Sequence, residues 1–363
     1  MSIEHLAFLI PGNYPDTAPG VGLAATLDVL AWAEAQGYDS AWVRQRHLER
    51  GISSAATFLA AATQRTQRIG LGAAVIQMGY ENPWRLAEDL ATVDVLSGGR
   101  LQVGLSAGPP PYGALLGPRL LDGDPAAIDF SHERINRLRD NLRGHWLDDG
   151  TVQVDSAAGA QRARLNPQAP GLADRLWVGG GSLRSAEWAG RAGYHLLIGN
   201  VTKGEQSDDF YVAQRAQLAL YHRVWAEQLP GRRPRVALGR VIVPTDSADT
   251  ATRARYRQFA QGRVARTLQP NGERRTLFPR DLVGSADQIL SALHDDPLLP
   301  LVTELRLELP YDFALDEYRQ ILHDARQLIA PQLGWRPVVQ AAGTPATAAP
   351  VARAVYTHRV TGV

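Results

Sequence analysis

Residues Ile69–Gly108 read IGLGAAVIQMGYENPWRLAEDLATVDVLSGGRLQVGLSAG. The β-rich apolar run Ile69–Met78 gives way to a helix opening at Pro83, whose missing N–H costs nothing in a first helical turn. Leu86, Leu90, Val93 and Leu96 recur at helical spacing and predict one buried stripe. Gly98 and Gly99 stop the helix, and a second apolar run, Leu101–Leu105, begins at once. Strand, covering helix and strand in this order form a βαβ unit, whose strands lie parallel in one sheet.

The same alternation extends in both directions. Strands are expected at His5–Ile10, Ser40–Gln45, Ile69–Met78, Leu101–Ser106, Arg175–Gly179, His195–Gly199, Val236–Val243 and Glu304–Leu309. Amphipathic helices are expected between most of them, among them Leu23–Gln36, Ser53–Gln64 with Ser53 as cap, Ser182–Arg191, Asp208–Gln228, Ala248–Ala265, Ser285–Leu293 and Asp316–Ile329. Eight alternating units predict an α/β fold, a (β/α)8 TIM barrel. A doubly wound open sheet usually shows a Gly-rich dinucleotide turn after its first strand. Here that strand runs into Pro11-Gly12-Asn13-Tyr14-Pro15, which cannot start a helix.

Two connections exceed ordinary βα loops and are read as insertions after strands 4 and 7. Residues 109–174 contain a Pro-rich turn, a helix (His132–Trp146) and a hairpin-like piece at Thr151–Leu165. Gln261–Pro279 carries Arg263, Arg266, Arg274 and Arg275, which on composition alone reads as a solvated loop. Insertions on the strand-end face of a barrel also serve as lids. The body is taken as one domain, 1–333, followed by an Ala/Pro-rich tail, 334–363.

The 38 lysines and arginines nearly balance 37 aspartates and glutamates, so the chain carries no electrostatic footprint for nucleic acid or anionic membrane. It has no cysteine, which excludes disulfides and thiolate chemistry. No apolar run approaches the ~20 residues of a membrane helix. The opening MSIEHLAFLIPG lacks a basic leader, so a cytoplasmic protein is expected. The nine histidines form no H-E-x-x-H or closely spaced pair, so no metal site is expected. Glu88, Asp89, Asp94 and Arg100 look like a paired-carboxylate site, but salt bridges with Arg85 and Arg100 on the outer layer account for them better.

Gly179-Gly180-Gly181-Ser182, with Ser185 one turn on, ends a strand and starts a helix. Glycines let a backbone approach a ligand, and free N–H groups at a helix start favour a phosphate dianion. The same string also fits a turn with a plain serine cap. Gly104-Leu105-Ser106-Ala107-Gly108 fits the G-x-S-x-G elbow of a serine hydrolase with Ser106 as nucleophile. An elbow needs a helix directly after the serine, and Pro109-Pro110-Pro111 excludes a normal one.

The order GLGAAV, NPWRLAED, VDVLSGGR, VGLSAG resembles the flavin-dependent luciferase-like monooxygenases, relatives of bacterial luciferase. The likeness runs from about Leu6 to Ile329, dense in the first 108 residues and at Trp177–Asn200. It implies a barrel that binds FMN at its strand ends and reacts reduced FMN with O2 to a C4a-peroxyflavin, which oxygenates a small organic substrate. It also implies a separate NAD(P)H-flavin reductase as a possible partner. A homodimer formed through the first helices is implied as well.

Carried onto this chain, the resemblance puts the FMN phosphate at Gly180, Gly181, Ser182 and Ser185. It puts a non-prolyl cis bond at Ala74–Val75 beside the flavin ring, and Ser106 near that ring. Ala107 stands where some members carry a phosphate-side arginine. Arg46 stands where luciferase has a catalytic histidine, and His47 remains beside it. His47 then serves to hydrogen-bond flavin or move a proton, and Arg46 to stabilise an anionic flavin or bind an acidic substrate. Three further readings stay open: an F420-dependent oxidoreductase of the same fold, the serine hydrolase, and a non-catalytic flavin-binding protein.

Overall fold

The computed structural model describes residues 2–157 and 159–337. Eight strands, β1 (His5–Ile10), β2 (Ser40–Val43), β3 (Gly70–Gln77), β4 (Leu101–Ser106), β5 (Leu176–Gly179), β6 (His195–Ile198), β7 (Val236–Arg240) and β8 (Glu304–Glu308), close into one barrel. Every pairing is parallel, and β8 returns to β1 with His5 opposite Glu304. The expected (β/α)8 fold is therefore present, with each of the eight strands beginning within one residue of its expected start.

Helices α1 (Pro19–Ala35), α2 (Ala55–Thr63), α3 (Pro83–Ser97), α4 (Glu133–Leu142), α5 (Leu183–Ala192), α6 (Phe210–Gln228), α7 (Thr250–Arg263), α8 (Ala286–His294) and α9 (Leu315–Asp324) accompany the strands. In α3 the Asn82 side chain accepts from the amides of Trp84 and Arg85, and Gly98 ends the helix at φ 69°. The buried face is Leu86, Leu90, Val93 and Ser97, whereas Leu96 is 52% exposed. The 4-3-4 spacing from Leu86 lands on Ser97 and passes Leu96 by. The cap of α2 is Ser54, which accepts from Thr57 N–H, rather than Ser53. Asp94 pairs with Arg175 at 2.7 Å instead of Arg100, whose guanidinium donates to the carbonyls of Thr66, Ile69 and Ser97.

The expected strand Val236–Val243 divides after Arg240. Ile242–Pro244 leaves the barrel and pairs in parallel with Leu282–Gly284. The first insertion contains α4 and a two-stranded antiparallel piece, Gln153–Val154 with Gln161–Arg162. The second returns to the barrel through Thr276–Leu277, antiparallel to Thr202–Lys203. Trp335 is buried and its indole N–H donates to Asp39 at 2.7 Å, so body contacts reach this residue. The rest of the expected tail, 338–363, lies outside the described residues.

The larger core fills the space between strands and helices. A second one, with Ala7, Leu9, Trp42, Ala74, Trp177, Leu197 and Ala237, fills the barrel itself. Trp42 and Trp177 meet edge to face at 5.7 Å. A Cβ on Gly72 would stand 2.3 Å from the Trp42 ring, so glycine there is what lets the indole lie across the barrel. Below this layer, Arg235 grips Glu304 at 2.6 and 3.1 Å, and Gln102 accepts from Trp177 and Arg235.

Candidate active site

The strand ends converge on one mouth, where short backbone segments leave side chains projecting over the barrel. A cavity of about 870 Å³ lies on the β4–β5 side. It brings together Ser106, Ser182 and Ser185, three of the residues singled out in the sequence. It also gathers Gln77, His132, Arg184, Lys203 and Arg274.

Ser182 is the N-cap of α5. Its Oγ accepts from Ser185 N–H at 3.1 Å and donates to Ser185 Oγ at 2.9 Å. Capping thus fills one role of this serine. Leu183 N–H, a free amide of the first turn, already donates to Glu205 at 2.6 Å. Gly180 has a packing reason, since a Cβ there would stand 2.7 Å from Leu196. Gly181 faces open space, its nearest would-be neighbour being Val201 O at 3.9 Å.

The turn is ringed by Arg184, Lys203 and Arg274, with Asp129 as the opposing charge in the lining. Lys203 and Arg274 are brought in by the antiparallel pair that the second insertion forms with residues 202–203. A phosphate monoester fits this wall, which offers two serine hydroxyls and three cations with no arginine at Ala107, whereas Gly180, Gly181 and Ala74 do not line the cavity. Arg184 was visible in the serine-turn string. Lys203 and Arg274 carried no local signal, because only the fold joins them.

The Ala74–Val75 bond is cis, as the resemblance implied, and sits at a break in the β3–β4 register. Ala74 belongs to the barrel interior. Ser106 ends β4 and is followed by Ala107, by Gly108 at φ 115° and by prolines, with no helix. The nucleophile-elbow geometry is therefore missing. His294 and His323 lie in α8 and α9 of the outer layer.

Arg46 and His47 do not line this cavity. His47 stacks on Tyr80 at 3.8 Å, and Tyr80 O–H donates to the carbonyl of Pro111 on the cavity wall. Gln45 Nε2 lies 3.1 Å from His47 Nε2 and donates to Glu81 at 3.0 Å. Burial pushes the His47 pKa down and the Glu81 pKa up, so each is biased towards its neutral form. With Gln45 as donor, the proton of neutral His47 sits on Nδ1. Arg46 Nη2 donates to Tyr311 O–H at 3.3 Å. Tyr311, with Asn13, Tyr14, Arg50 and Phe313, lines a second cavity of about 800 Å³ on the opposite side of the mouth. The sequence reading missed Tyr311, an isolated aromatic after the last strand.

Residues 3–296 match the luciferase-like monooxygenase family. Among curated relatives, 4-hydroxyprotoasukamycin monooxygenase of Streptomyces nodosus subsp. asukaensis is 36% identical over 108 residues, 29% of either chain. Limonene 1,2-monooxygenase of Rhodococcus erythropolis is 28% identical over 193 residues, 49% of either chain. The matches thus span less than half the length of these two relatives. Among solved structures, a monooxygenase from Streptomyces bottropensis superposes with TM-score 0.67 at 19% identity, covering 90% of this chain and 99% of that one. The oxygenating constituent of 3,6-diketocamphane monooxygenase from Pseudomonas putida, in complex with FMN, gives 0.64 at 15% identity, over 92% and 99%. An F420-dependent secondary alcohol dehydrogenase gives 0.58 at 15%, over 92% and 99%. Such identities speak for the fold alone, but the family match spans most of the sequence, and the chain belongs to the luciferase-like monooxygenase family.

Proposed function

We propose that the protein is an FMN-dependent monooxygenase that uses reduced FMN and dioxygen to oxygenate a small organic substrate. The observation that carries this reading is the cationic wall around the serine turn: Ser182, Ser185, Arg184, Lys203 and Arg274 on one cavity. A terminal phosphate monoester is a dianion and gains from several converging cations. In this reading Gly181, Ser182 and Ser185 hold the phosphate, the cis segment at Ala74 and Ser106 flank the ring, and His47 meets its edge. Reduced FMN, when bound, supplies the electrons that activate oxygen. The chain's own work is to anchor, orient and exclude water. Tyr80, stacked on His47 and tied to Pro111, joins the two sides of the mouth and supports that exclusion. A reductase as electron source and a homodimer through α1 and α2 belong to the same proposal, as does a cytoplasmic setting. Among the described residues no helix is long and apolar enough to cross a membrane.

F420 is the alternative cofactor, since an F420-dependent enzyme shares the fold. Two substitutions test the phosphate assignment in opposite directions. Ser182→Asp keeps a helix cap but adds a carboxylate, and should weaken FMN binding at least tenfold, about 1.4 kcal/mol. Glu205→Gln removes the carboxylate that now holds Leu183 N–H and should tighten FMN severalfold. Unchanged FMN affinity in both variants, measured by flavin fluorescence, would remove this turn from the site.

A further inference from the structure

The flavin reading leaves one charged cluster at the mouth unused. Arg44 follows β2, and Arg306 and Glu308 lie on β8. Glu308 Oε2 lies 3.5 Å from Arg44 Nη2, and Glu308 Oε1 lies 3.5 Å from Arg306 Nη2. Asn200 Nδ2 also donates to Glu308, at 2.8 Å. The carboxylate occupies space that only glycines leave free: a Cβ on Gly239 would stand 2.3 Å from it, and one on Gly199 2.7 Å. One anion therefore faces two guanidinium groups. Glu304, the next anion down the barrel, is held by Arg235 at 2.6 and 3.1 Å and acts on Arg306 only at longer range than Glu308.

Three N–H donors of this cluster are buried without an acceptor: Arg44 Nε, Arg306 Nε and Arg306 Nη1. The rings of Trp42, 5.6 Å from Arg306, and Tyr311, 5.0 Å from Arg44, offset part of the charge. They accept no ordinary hydrogen bond from these atoms. A buried donor left unpaired forfeits its hydration without compensation, and a buried uncompensated charge forfeits more. Side-chain exposure falls from 19% at Arg44 through 11% at Glu308 to 4% at Arg306, so Arg44 is the most open member of the cluster. Tyr311, beside Arg44, also borders the second cavity.

We infer that Arg44 and Arg306 form an anion site for the substrate, which is a small organic acid whose negatively charged oxygen accepts from the unpaired donors. This deepens the oxygenase reading and rests on it for the role of that ligand. Glu308 holds the two guanidinium groups apart and in place, and the charge surplus selects acids over neutral molecules of the same shape.

The test uses the full chain, with and without saturating FMN, titrated calorimetrically with benzoate and with benzamide, its neutral counterpart. Benzoate should bind one-to-one at least tenfold more tightly than benzamide. Arg306→Met should abolish that preference. Equal affinities in the wild type, or a preference that survives in folded Arg306→Met, would overturn the inference. Should that variant fail to fold, Arg44→Gln at the more open rim should cut the preference at least threefold, and an intact preference there overturns the inference instead. Benzoate preference without FMN binding would refute the cofactor reading only, while FMN binding without the preference refutes this one.

Discussion

His195 shows how one residue of the barrel floor sets a pH limit. Its Nδ1 accepts the amide N–H of Arg235 at 3.3 Å. Burial first, and the Arg235 charge second, push its pKa down to about 4 from an ordinary value near 6.5. The unfolded chain takes up a proton near 6.5 that the folded one refuses until about pH 4. Stability attributable to this group is therefore complete above about 6.5 and lost as pH falls towards 4, by up to about 1.4 kcal/mol per unit. His195→Gln keeps an acceptor but cannot be protonated. Urea midpoints measured from pH 7 to pH 4 should fall less steeply in this variant than in the wild type. Parallel curves would show that the histidine is not the titrating group. At the same scale, the serine turn illustrates two uses of one residue. Ser182 caps α5 and lines the cavity, and its sequence string carried both meanings at once.

At the scale of elements, α3 is tied to the neighbouring strand by a contact the local sequence hides. Asp94 sits on the buried face of the helix and receives two hydrogen bonds from Arg175, at 2.7 and 2.8 Å. Removing one partner of a buried pair strands the other charge, so Asp94→Ala should destabilise the barrel by about 3–5 kcal/mol. Glu88→Ala breaks a surface pair with Arg85 and a hydrogen bond from the Trp84 indole N–H, and should cost about 1 kcal/mol. Thermal or urea unfolding measures both, and equal effects would contradict the assignment. The barrel strands were legible because each is a short apolar run bounded by its own turn, a signal carried by neighbouring residues. Non-local pairings were not. Ile242–Pro244 leaves the barrel only because Leu282–Gly284 offers a partner, and Arg175 lies 81 residues from Asp94. The serine turn and Ser106 were legible as a string and as a strand end. Lys203 and Arg274 reach the cavity wall through a two-residue pairing that composition could not show.

Over the whole molecule, one face of the barrel carries the two larger cavities with a charged cluster between strand ends, and the opposite end holds the Arg235–Glu304 pair beside a smaller cavity of about 390 Å³. That polarity suits a barrel enzyme whose cofactor and substrate enter from the same side. In the function proposed above, this face binds FMN and uses its reduced form with oxygen. The measurement that addresses it most directly is an anaerobic titration of the full chain with oxidised FMN, reduced FMN and F420, followed by admission of air and recording of oxygen uptake. Reduced FMN should bind tightest, F420 should bind weakly, and oxygen uptake should follow the protein-bound flavin. Preferential binding of F420, or no binding of any of the three, would contradict the proposed function.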